Sequence, residues 1–163
     1  MELWDGYFKD GSPAGIILIR GNPVPKGIYH LACDVIVRHV DGTILLMKRD
    51  ESKETSPGLY EATAGGAALK GESKEACALR ELREETGITA TKLTELFQTV
   101  DEEKRTIFVN YLCETDCDKN DVTLQKGETC GYKWVTANEL AEEIKKGSLC
   151  KGNLNRLKDY LKK

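Results

Sequence analysis

Histidine and proline are scarce in this 163-residue chain, which has two of the first and four of the second. It also lacks any apolar run near the roughly 20 residues needed to cross a bilayer. With only His30 and His39 available, a metal centre or proton relay built on several histidines is not expected. The opening residues, MELWDGYFKD, carry early acids and no apolar signal core, so the expected compartment is the cytosol. A basic excess is missing too. Twenty-four Lys and Arg stand against 27 Asp and Glu, for a net charge of -3 and a pI near 5.5. That balance gives no reason to expect a nucleic-acid polymer or a membrane as partner.

Cysteine is not scarce, but its pattern is uninformative. A chain of this length without a secretion signal does not need staples, so Cys33, Cys77, Cys113, Cys117, Cys130 and Cys150 are expected as free thiols. Cys113 and Cys117 have the spacing of half a zinc site, and no second pair completes it. Hydrophobic residues at 40% and charged ones at 31% describe an ordinary globular chain, long enough for one domain over residues 1–163 with a sizeable core.

Alternation and turn signals divide the chain. Leu3 to Phe8 and Ala14 to Arg20 flank an Asp-Gly turn and predict an N-terminal hairpin, followed by a connector to Gly27. The edge of that hairpin could pair with a second copy, so a homodimer is plausible. Tyr29 to His39 and Ile44 to Lys48 predict a second, central hairpin around Asp41-Gly42. A polar loop then leads to a short strand at Gly58 to Thr63 and a turn at Gly65-Gly66. Later strands are expected at Leu93 to Val100, Thr106 to Cys113 and Thr129 to Val135, with a short one at Val122 to Leu124 and Trp134 in the core. Thr136 caps an amphipathic helix from Ala137 to Lys146 that Gly147 stops, and Asn153 to Leu161 forms a last helix. Strands and helices mixed in this way suggest an α/β sandwich around a mixed sheet.

The chemistry is concentrated in GGAALKGESKEACALRELREETGI, from Gly65 to Ile88. Ser73 is a candidate N-cap and Gly87 a left-handed stop, which predicts a helix between them. At about 100° per residue, Glu81, Glu84 and Glu85 fall within roughly 100° of one another, while Ala78, Leu79, Leu82 and Thr86 face away. Three carboxylates crowded like this resist ionising together unless a cation sits among them. Oxygen ligands of that kind suit Mg²⁺ or Mn²⁺. The bare backbone at Gly65 and Gly66 lets a carbonyl approach a metal, or a phosphate lie against the chain.

Gly66, Glu72, Arg80-Glu81-Leu82, Glu84-Glu85 and Gly87-Ile88 stand at every fixed position of the Nudix box, so the chain resembles the Nudix hydrolases. The box covers residues 66–88, and a weaker likeness extends over nearly the whole chain. The resemblance implies a Nudix-type α/β/α sandwich and Mg²⁺-dependent hydrolysis of a diphosphate linked to another moiety. It implies Glu81, Glu84 and Glu85 as metal ligands, joined by Gly65, with Glu72 and Arg80 orienting them. The general base is Glu128, which precedes a Trp-containing strand as in many relatives, or Glu81. Asp116, Asp118 and Asp121 are left unassigned.

The N-terminal hairpin and central strands look like the isopentenyl-diphosphate isomerase branch of the superfamily. Arg49 and Lys53 match that branch's diphosphate-holding Arg and Lys, which makes both candidate substrate contacts. Departures decide against isomerase chemistry. Ala64 stands where the isomerase needs a cysteine, and Gly66 and Pro23 stand where it has metal histidines. His30 matches a remaining one and, without those partners, is expected as a packed or hydrogen-bonded strand residue. Two further classes stay open: a Nudix module that binds a nucleotide without cleaving it, and a purely structural protein. The full set of carboxylates argues against both. The identity of the diphosphate is not legible.

Overall fold

A computed structural model describes residues 1–161. They form nine strands and three helices: β1 (Leu3–Tyr7), β2 (Pro13–Ile19), β3 (His30–His39), β4 (Ile44–Arg49), β5 (Tyr60–Glu61), β6 (Ala64–Ala67), α1 (Lys74–Thr86), β7 (Thr94–Asp101), β8 (Thr106–Thr115), β9 (Thr129–Val135), α2 (Ala137–Lys146) and α3 (Lys151–Leu161). β1 and β2 pair as an antiparallel hairpin of their own. The other seven make one sheet in the order β5-β4-β3-β8-β7, with β6 added to β3 and β9 to β4.

The longest ladder is parallel, joining His30–His39 to Thr106–Thr115 through the whole length of β3 and β8. The remaining pairings are antiparallel, so the sheet is mixed. Alternation along β3 sends side chains to two separate cores. Cys33, Val35 and Val37 pack with Cys77, Ala78 and Leu82 of α1, whereas Ile36 packs with Leu140 of α2 and Leu157 of α3. Helices therefore cover both faces, giving the α/β/α sandwich that the sequence suggested.

Helix α1 forms where its caps put it. Ser73 accepts a hydrogen bond from the Ala76 amide, and Gly87 ends the helix at φ 73°. Thr136 caps α2 and is answered by Glu139, completing a capping box whose loss costs about 1 kcal/mol. The sequence reading needs three corrections. Gly65 and Gly66 are not a turn but lie inside β6, opposite Asp34 and Cys33. Residues 122–124 are not a strand; Val122 is buried and the Thr123 amide donates instead to Thr86. Trp134 is only partly buried and spends its indole N–H on the Lys119 carbonyl at 3.1 Å.

Glycine at position 65 is a packing requirement. A Cβ there would run into the Cys33 carbonyl oxygen and lie 2.5 Å from Asp34 Oδ1, whereas one on Gly131 of β9 would meet nothing nearer than 3.7 Å. Backbone cannot swing aside as a side chain can. Urea unfolding should show Gly65→Ala destabilised by about 2 kcal/mol or more, with Gly131→Ala within about 0.5 kcal/mol of the parent.

Candidate active site

A cleft of about 500 Å³ lies where β6 runs beside α1. Its floor is Gly65, Gly66 and Ala67, and one wall is the polar face of α1 with Arg80, Glu81, Glu84 and Glu85. The hairpin supplies a second wall through Glu2, Trp4 and Arg20, and the loop before β9 a third through Gln125 and Glu128.

Arg80 organises the helical wall. Its Nε and Nη2 donate to the two oxygens of Glu72 at 2.8 and 2.9 Å, a bidentate pair between two largely buried side chains. Nη2 also reaches the Ala67 carbonyl at 3.1 Å, while Nη1 donates to Glu81 at 2.6 Å and to Glu84 at 3.3 Å. The hydrogen bond from Arg80 holds the Glu72 carboxyl below the usual range, and burial pushes that of Glu81 above it.

Glu85 is the most enclosed of the three. It lines the cleft, and burial of its carboxyl raises its pKa well above the ordinary glutamate value. Among the described residues, only the Gly65 amide, 3.0 Å away, donates to it. Gly66 matters for Glu81 in the same way: a Cβ there would lie 2.5 Å from Glu81 Oε1, so the missing side chain is what admits that carboxylate.

These groups suit a hard divalent cation in kind. They are all-oxygen donors on one wall, and two of them resist ionising as they stand. They are not gathered around one point: among the described residues, no three His, Cys, Asp or Glu side chains form a ready metal site. Arg80 and the Gly65 amide are the reason, since they hold the oxygens that would turn toward an ion. Glu84, exposed and bound to Arg80 only at 3.3 Å, is the easiest to release.

The other sequence candidates divide. Glu128 lines the cleft, and Lys53 reaches it through an ion pair with Glu128 at 2.5 Å. Arg49 is not among the lining residues; its guanidinium is taken by Glu61 at 2.8 Å and by Thr55. His30 stacks on Trp4 with centroids 4.3 Å apart and shares a 2.8 Å hydrogen bond with Thr106, the packed strand role expected of it. Trp4, Glu2 and Arg20 were not anticipated. Glu2 accepts from the Trp4 indole at 2.7 Å and from Arg20 at 2.9 Å, and only the docking of the hairpin brings the three to the cleft.

The raised pKa of Glu85 has a signed consequence. In metal-free protein, the stability tied to its neutral form is complete below the unfolded-state value and is lost as pH rises through the folded-state value. In chelator, Glu85→Gln should therefore melt higher than the parent by about 2–4 °C at about pH 7.5, with the gap closing toward about pH 4. Thermal scans across that pH range check it.

The comparisons agree with this geometry. The sequence profile described as NUDIX domain matches residues 28–154. The chain is 34% identical over 147 residues to lmo0368, an uncharacterized Nudix hydrolase of Listeria monocytogenes, covering 86% of this chain and 83% of that one. In fold it is similar to DR0079 from Deinococcus radiodurans, with a TM-score of 0.77, 22% identity and 96% of each chain covered. It is also similar to the NUDIX domain of Shewanella oneidensis NrtR, solved in complex with ADP-ribose, with a TM-score of 0.66, 20% identity and coverage of 86% and 93%. With the profile spanning most of its length and a relative 34% identical over most of both chains, the chain belongs to the Nudix hydrolase family.

Proposed function

We propose that the protein is a cytosolic, Mg²⁺- or Mn²⁺-dependent hydrolase of a diphosphate linkage in a nucleoside diphosphate joined to another moiety, or in a similar organic diphosphate. The observation that carries this reading is the enclosed Glu85 carboxyl, held by one backbone amide beside Glu81 and Glu84 in a cleft of about 500 Å³. Burying a carboxylate with so few donors is costly, and a cation recovers that cost. A solvated acidic helix face would not enclose one.

Glu81, Glu84 and Glu85 are the residues that would hold the cation, with the backbone at Gly65 close by. When bound, it supplies charge neutralisation for the diphosphate oxygens and a more acidic water. Arg80 keeps the carboxylates from repelling one another before substrate arrives, and its grip on Glu72 fixes the height of α1 over β6. Lys53, paired with the cleft residue Glu128, is the candidate phosphate partner. Its ion-pair partner Glu128 lines the cleft and is the candidate to take the proton of the attacking water. Gly65 and Gly66 let the diphosphate lie against bare backbone.

ADP-ribose is a natural first substrate to try, because the NrtR domain of similar fold was solved with it bound. The same panel should hold nucleoside diphosphate sugars, dinucleotides, oxidised nucleoside triphosphates and prenyl diphosphates. Phosphate or monophosphate release with Mg²⁺ should fall by about two orders of magnitude or more in Glu84→Gln and Glu85→Gln, with circular dichroism unchanged. Ligand binding without turnover in the parent protein would instead make this a binding module. No deuterium should enter isopentenyl diphosphate, because Ala64, buried in β6, offers no acid or base to carbon.

A further inference from the structure

On the sheet face turned away from α1 lies a second pocket of about 360 Å³, walled by Ala32 and Asp34 of β3, Phe108 of β8, Lys104 before it, and Arg156 of α3. It meets the first cleft at His30 and along Gly65, Gly66 and Ala67, residues that line both. A ligand whose diphosphate occupies the first cleft can therefore extend its attached moiety into the second.

Arg156 is built into this pocket from three directions. Its Nε is in ion-pair contact with the buried carboxylate of Asp34 at 2.5 Å, and its guanidinium carbon lies 4.5 Å from the centre of the Phe108 ring. Asn153, one turn earlier, anchors α3 by accepting from the Ala62 amide at 2.5 Å and donating to Thr63 at 2.6 Å. Gly65 admits Asp34 on this side of β6 while its amide serves Glu85 in the first cleft, so one residue sets both sites.

The guanidinium is only partly used. Its side chain is 18% exposed, yet among the described residues no carboxylate or carbonyl accepts from Nη1 or Nη2. A guanidinium has five donors, and donors left idle in a largely dry setting favour an acceptor-rich ligand. The charges of the wall point the same way. Asp34 is matched by Arg156 and Glu61 by Arg49, whereas Lys104 is exposed, forms no ion pair among the described residues and acts on Asp34 only through space.

We propose that this pocket is a subsite for an oxyanion, carboxylate or phosphate monoester, carried by the moiety attached to the diphosphate, with Arg156 as its two-pronged partner and Lys104 as an outer cation. The inference rests on the reading of the chain as a diphosphate hydrolase. Asp34 and Phe108 act as positioning residues: they fix the plane of the guanidinium so that its outer edge meets two oxygens together.

The test uses compounds that differ by one oxyanion: UDP-glucuronate against UDP-glucose, and NADP⁺ against NAD⁺. The acidic member of at least one pair should show about tenfold or greater advantage in kcat/KM, and Arg156→Gln should bring that ratio close to one. If Arg156→Gln does not fold with Asp34 left unpaired, Asp34→Asn combined with Arg156→Gln restores a matched neutral pair, and the ratio is read there. Neutral members turned over as fast or faster in both pairs overturn the proposal, as does an equal loss on both members in the variant. If none of the four is cleaved, the subsite is decided apart from catalysis by calorimetry with the metal-free protein. Acidic members bound about tenfold tighter support it, and equal dissociation constants overturn it.

Discussion

The bidentate pair between Arg80 and Glu72 is the contact on which the rest of the site depends. Glu72 lies before the helix and Arg80 two turns inside it, so the pair ties the loop to α1, and the bond to the Ala67 carbonyl ties both to β6. Both side chains are largely buried, so removing either one breaks the bidentate pair and leaves donors or acceptors of the other unmet. With that fixed, the remaining donor of Arg80 is free to hold Glu81 and Glu84 at the cleft. One guanidinium thus organises three carboxylates: Glu72 on one edge, Glu81 and Glu84 on the other.

The sheet explains why the cleft lies where it does. β3 is paired along its whole length with β8, but its other edge is divided between β4 at one end and β6 at the other. β6 is short and carries two glycines, so side chains from both faces crowd against it: Glu81 and Glu85 from the α1 side, Asp34 from the other. A strand with ordinary side chains there would separate the two faces. The glycines instead belong to the lining of both pockets, which meet along the strand.

Much of this was legible in the chain. The caps Ser73, Gly87, Thr136 and Gly147 mark α1 and α2 because local hydrogen bonds at helix ends depend on neighbouring residues only. The carboxylate face of α1 follows from helical spacing alone. The strand identity of Gly65 and Gly66 was not legible, since glycine lacks β propensity and is held in β6 by its ladder with β3. The same holds for Trp4, Glu2 and Arg20, and for Arg156 with Asp34 and Phe108. Each set is assembled by tertiary packing between segments far apart in the chain, and no local pattern announces it. The pairing of Arg49 with Glu61 of the neighbouring strand β5 was not legible for a related reason.

The central claim is that Glu81, Glu84 and Glu85 leave their present partners to share a divalent ion. Anomalous diffraction from crystals soaked in Mn²⁺ tests it most directly. A manganese peak within bonding distance of all three carboxylates, with Arg80 still paired to Glu72 and the Glu81 and Glu84 oxygens turned from it, is the predicted result. No peak in the cleft, with Glu81 and Glu84 still on Arg80 and Glu85 still on the Gly65 amide, would contradict it.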